Sequence, residues 1–140
     1  MTKPGESTDA VARYLAARGV AVHLRNKKLS DLIAQWDGIA RAAARYNLTL
    51  DDWLNDVDLR DIIAGALEVA PEREQRDVRD ALGRADDLFK TATAETKQSM
   101  WGDAAATGDK HDQLRQWWYF RRPVHPGKTM RADLAAAGIL

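Results

Sequence analysis

Apolar residues recur along most of this chain at three- and four-residue intervals, the period of a helix with one buried face. Val11, Tyr14 and Leu15 open the series, behind the cap candidates Ser7-Thr8-Asp9 and ahead of Gly19, which suits a helix end. Leu32, Ile33, Trp36, Ile39, Ala40 and Ala43 form a longer stripe, with Ser30 as its expected cap and Tyr46-Asn47 as its end. Gly38 interrupts that stripe at a cost of about 1 kcal/mol relative to alanine, which a close helix–helix approach would offset. Between the two helices Val20-Ala21-Val22-His23-Leu24 alternates like a strand. No second strand is evident to pair with it, so an extended connector or a short edge piece is expected.

The next pattern changes phase within itself. Thr49 caps, Asp51 and Asp52 suit a first turn, and Leu50, Trp53, Leu54 and Val57 share one face. Leu59, Ile62, Ile63, Ala66, Leu67 and Ala70 then lie on another. One unbroken helix on the first face would turn Asp58 and Asp61 into the core. The pattern therefore predicts a break at residues 55–58, with Asp58 capping a fresh helix. Pro71 fits the first position of the following helix, whose stripe is Val78, Ala81, Leu82, Ala85, Leu88, Phe89 and Ala92. Arg76, Asp80, Arg84 and Asp87 lie opposite, at spacings that allow weak ion pairs. This helix is expected to fade near Met100-Trp101, before a glycine-bounded loop at 102–108.

Asp109 or Asp112 opens a helix carrying Leu114, Trp117 and Trp118, ended by Pro123 and Pro126-Gly127. A final helix at 129–137 stops at Gly138. The fold class is all-α, a compact bundle of five to seven helices with room for one short extended segment near 20–24. Residues 1–7 read as a flexible N-terminal tail and 8–140 as a single helical domain.

Composition narrows the class. At 140 residues the chain is long enough to bury a core, and it has no cysteine, which excludes disulfides, thiolate metal sites and a cysteine nucleophile. Its first residues carry no apolar stretch of the kind a signal peptide needs, and no run approaches the roughly 20 apolar residues of a spanning helix. The expectation is a soluble, cytoplasmic protein with no membrane partner. Net charge is zero but unevenly spread. Residues 1–48 hold eight Lys/Arg against four Asp/Glu, 49–109 hold seven against fifteen, and 110–140 hold six against two. Either the basic ends fold against the acidic centre, or the acidic centre faces a basic partner. Zero net charge weighs against wholesale nucleic-acid binding.

Two constellations stand out. Asp51, Asp52, Asp56, Asp58 and Asp61 gather in one segment beside Trp53. Asp52 and Asp56, one turn apart, could share a cation, but the spacing lacks the glycine and terminal glutamate of a calcium loop. Helix capping accounts for most of these acids; a functional role would be the capture of a partner's Lys and Arg side chains, with Trp53 as anchor. The second constellation is Gln116-Trp117-Trp118-Tyr119-Phe120-Arg121-Arg122-Pro123, four of the chain's ten aromatics in a row. Successive helical residues step by about 100°, so no single face hides all four. A helix would place Leu114, Trp117, Trp118 and Arg121 on one side, Phe120 at its margin and Tyr119 facing away. Core packing is the plain account. A protein interface is one alternative. Another is a nucleic-acid platform, with Trp117, Trp118 and Tyr119 stacking on bases while Arg115, Arg121, Arg122, Lys128 and Arg131 meet phosphates.

Catalytic signals are sparse. His23, His111 and His125 are scattered at no ligand spacing. His111-Asp112 could orient an imidazole. Ser7, Ser30 and Ser99 sit at caps or helix ends, and no phosphate-binding loop is present. The expectation is a cofactor-free, metal-free, regulatory protein that binds a protein partner with a basic surface through the acidic face, rather than an enzyme. Small size and acidity suit a toxin-neutralising role, an immunity protein or antitoxin, though no motif carries it. Nucleic-acid binding through the carboxy-terminal segment is the alternative.

Overall fold

The structure is a computed structural model describing residues 6–101 and 112–139, with side chains from Ala10 onward. The loop predicted at 102–108, the candidate start at Asp109, and His111 lie outside the described residues. The molecule is mostly helical, with one small sheet. In order, α1 is Glu6–Arg18, α2 Leu29–Ala42, α3 Leu50–Val69, α4 Glu72–Ala92, β1 Thr93–Glu95, β2 Arg121–Pro123 and α5 Lys128–Ala136. Short 3-10 turns occupy Val22–Leu24, Ala43–Arg45 and Trp117–Phe120. No described helix is long and apolar enough to cross a membrane.

Helix ends follow local chemistry. α1 takes in Glu6 and Ser7, which the pattern left in the tail, and stops before Gly19, whose φ of 73° is the left-handed conformation glycine adopts freely. α2 begins one residue before Ser30 rather than after it. Lys28 is its cap, and the Asp31 carboxylate accepts the Lys28 backbone N–H at 3.2 Å. At α3 the predicted cap is present: Thr49 Oγ1 accepts from the Asp52 N–H, and Asp52 accepts from the Thr49 N–H, both at 3.1 Å. Pro71 is the cap residue of α4 and not its first helical one.

α3 lies at the centre, packed against α1, α2, the Trp117–Phe120 turn and α5. That position explains why the predicted break at 55–58 does not occur. A helix covered on several sides can bury two apolar faces, and α3 buries both Trp53, Leu54 and Val57 and Leu59, Ile62 and Ile63. Asp58 does not cap a new helix; it sits inside the continuous one. α2 lies along α4, and the rings of Trp36, Trp53 and Phe89 meet between the helices, at centroid separations of 4.7 Å (Trp36–Phe89) and 5.6 Å (Trp53–Phe89).

Several further expectations are corrected. Residues 22–24 form a 3-10 turn, so the segment near 20–24 is no strand. Gly38 marks no close helix approach, since a Cβ there would meet nothing within 4 Å. The tight approach is at Gly65, where a Cβ would fall 1.8 Å from the Tyr14 hydroxyl oxygen. Leu88 is 39% exposed instead of buried. α4 ends at Ala92, well before residue 100, because Thr93–Glu95 pairs antiparallel with Arg121–Pro123, Ala94 opposite Arg122. Leu114 is 90% exposed and no α-helix carries it; the chain reaches the aromatic cluster through turns.

Candidate functional site

The acidic residues of α3 do not form one outward face. Asp51 and Asp52 are exposed at its first turn, and the hydrogen bonds from the Thr49 side chain and backbone hold the Asp52 carboxyl below the usual carboxylate range. Trp53 is fully buried, with its indole N–H 3.3 Å from the Arg121 carbonyl, so it offers no exposed anchor. The other acids meet groups from distant parts of the chain. Asp56 accepts from the Tyr46 hydroxyl at 2.5 Å, and Asp58 from the Tyr119 hydroxyl at 2.5 Å. Asp61 takes Gln116 Nε2 at 3.0 Å and Arg18 Nη1 at 2.8 Å, and Arg18 also donates to the Tyr14 hydroxyl.

Internal complementarity thus absorbs much of the acidic segment. Asp56 takes a hydroxyl as its described donor. It is half-buried, and no described Lys, Arg or His lies within ion-pair distance of it. Burial pushes its carboxyl above the usual range against the lowering effect of the Tyr46 bond, and the charge of Asp52 adds to the rise. Burial and the bond to Asp56 in turn push the Tyr46 hydroxyl well up.

Two polar clefts flank α3 on either side of Arg18. One, of about 320 Å³, lies between the end of α1, the 20–24 segment and α2, and is lined by Asp56, Asp58, Asn55, Gln35 and His23. The other, of about 420 Å³, is lined by Tyr14, Asp61, Glu68, Arg115, Gln116 and Trp118. Arg18 borders both.

The aromatic segment packs inward. Trp118 is 3% exposed and Tyr119 2%, and Phe120 is buried, while Trp117 is half-buried. Tyr119, expected to face away, is therefore core, because a 3-10 turn followed by a strand distributes the rings differently from an α-helix. Burial and the Asp58 bond push its hydroxyl pKa well up. Arg121 is spent on the fold: Nε donates to Thr93 Oγ1 at 2.7 Å and Nη2 to the carbonyls of Lys90 and Thr93 at 3.1 Å. Arg122 donates to the Pro123 carbonyl. The rings and the arginine that would form a nucleic-acid platform are thus largely occupied within the protein. Arg115 remains exposed, with Glu68 at 4.0 Å its ion-pair contact.

Arg60 and Asp86 escaped the sequence pattern altogether. Arg60 is buried under Trp117 and Trp118, its Cζ 4.6 Å from the Trp118 ring, and forks onto Asp86. Asp86 also accepts the Trp36 indole N–H at 2.9 Å. Available signals were a lone arginine amid Val57, Leu59, Ile62 and Ile63, and an aspartate between Leu82 and Phe89 at helical spacing.

Among the described residues, no three His, Asp or Glu side chains gather as metal ligands. Asp52 and Asp56 turn to separate partners, Thr49 and Tyr46. His23 borders the smaller cleft, and the His125 backbone N–H donates to the Ala44 carbonyl. No family model, curated protein or solved structure matches the chain.

Proposed function

We propose that this is a non-catalytic regulatory protein that holds a basic side chain of a protein partner in the cleft beside Asp56. The observation that carries this reading is the Asp56 carboxylate itself. It is half-buried, meets a tyrosine hydroxyl and no described cation, and its ionised form is disfavoured by burial. An incoming ammonium or guanidinium group would supply the missing charge, and Asp52 would add long-range attraction. Asn55 and Gln35 provide further polar groups at the cleft wall. Toxin neutralisation is the sharper form of this reading, supported by small size and an acid-rich centre alone.

The test is parallel capture from host-cell extract by the wild-type chain and by Asp56→Asn, with identification of what is retained. A protein partner held by the wild type and lost by the variant supports the reading. A partner retained equally by both removes Asp56 from it.

A further inference from the structure

A surface groove runs between α2 and α4. Its first stretch, of about 390 Å³, sets residues 30–41 against 77–84, and its second, of about 770 Å³, sets 37–44 against 84–92. The two helices therefore lie side by side in the same direction, and the stretches join, since both include Asp37, Arg41 and Arg84. The groove follows α4 from Asp77 to Ala92, roughly 22 Å at 1.5 Å per residue. Ala34, Ala81 and the exposed Leu88 give it an apolar lining. Charges border it in a definite order. Where α2 presents the acid Asp37, α4 presents the base Arg84; at the next turn α2 presents the base Arg41 and α4 the acid Asp87. Arg84 and Asp87 are exposed and make no ion pair among the described residues. Arg41 holds Asp37 through Nε and Oδ2 at 2.7 Å, which leaves Asp37 Oδ1 and the Arg41 Nη groups for a second partner.

We propose that this groove is a self-association face, on which a second copy of the chain packs about a two-fold axis parallel to the helices. That operation lays α2 of each copy over α4 of the other at the same level. Asp37 then meets the partner's Arg84, Arg41 meets the partner's Asp87, and each pair occurs twice. The small side chains of Ala34 and Ala81 come opposite one another and allow close approach, while Leu88 is covered. A two-fold axis across the helices, centred on the groove, would instead bring Arg84 near its own copy. The order of signs thus selects both the occupant and its orientation. Zero net charge leaves no overall repulsion between copies. The Asp56 cleft takes Gln35 and Ile39 from α2 and none of the groove residues, so the inference does not depend on the protein-capture reading.

The experiment is sedimentation equilibrium of the full chain from about 1 μM to 1 mM, the range of weak and transient complexes. A monomer–dimer equilibrium is expected. Arg84→Glu, at an exposed position, sets two acids against each other twice in a homodimer and should weaken association about tenfold. Asp37→Lys sets two cations together twice and should act alike. Mixed in equal amounts, the two variants should associate with each other to within about threefold of the wild type, because both contacts then join opposite charges. A fold damaged by either substitution would not recover on mixing. A monomer at every concentration overturns the proposal, as does a dimer that Arg84→Glu leaves unchanged. Failure of the mixed variants to associate more tightly than either alone also overturns it.

Discussion

Arg60 of α3 places two N–H groups on the carboxylate of Asp86 of α4, at 2.9 and 3.0 Å. Removing either partner alone strands the other charge in a poorly solvated place. Arg60→Leu or Asp86→Leu should each cost about 3–5 kcal/mol of stability, and the double variant should recover part of that loss. Urea denaturation of the three variants checks this, and additive losses would contradict it.

Tyr119→Phe keeps the buried ring and deletes the hydroxyl that Asp58 accepts. The expected loss is about 1.5–3 kcal/mol, the range for hydrogen bonds to charged groups. A thermal unfolding midpoint equal to that of the wild type would show that Asp58 takes nothing from this bond.

Asp52 and Asp56, one turn apart, should respond to acid with opposite signs. The Asp52 carboxyl is lowered from 3.8, so it contributes stability above that value that is lost as pH falls through its folded pKa. The Asp56 carboxyl is raised from 3.8, so the folded state holds its proton longer, and stability falls as pH rises from 3.8 through the folded pKa. Asp52→Asn should therefore flatten an acid-side loss, and Asp56→Asn an acid-side gain. Denaturation free energies measured across the acid range separate the two.

Two glycines give opposite expectations on substitution. Gly65→Ala drives a methyl into the Tyr14 ring, with the nearest ring carbon at 2.2 Å, and should cost about 1–3 kcal/mol by pushing α1 off α3. Gly38→Ala meets open space in a helix interior and should add about 0.5–1 kcal/mol. Melting temperatures moving in the same direction for both would refute the assignment of the close approach.

The helical class, the C-terminal ends of α1 and α5, the Thr49 cap and the stripe of α2 were legible because each depends on neighbours a few residues apart. The continuity of α3 was not. A one-face rule holds for a surface helix, and α3 is surrounded, so its second phase marks a second buried face and its inward acids find Tyr119, Gln116 and Arg18. The three-residue strands were equally hidden, since Thr93–Glu95 has no period and gains its identity from Arg121–Pro123. In the aromatic run, composition correctly signalled enclosure, but assuming an α-helix put Tyr119 outside. At the acidic segment, residue type showed charge without showing which carboxylates were already satisfied. Asp56 is distinguished from Asp61 by what lies across from it, a hydroxyl in place of Arg18 and Gln116.

The Asp58–Tyr119 bond also has a bearing on birth at the ribosome. Its partners are 61 residues apart, and synthesis at about 5–20 residues per second separates their emergence by roughly 3–12 s. α3 can wind early, but the Tyr119 partner of Asp58 arrives only after 61 further residues are made. A nascent chain halted before Tyr119 would hold its central helix without that partner, so completion of the core waits on residues made well after α3.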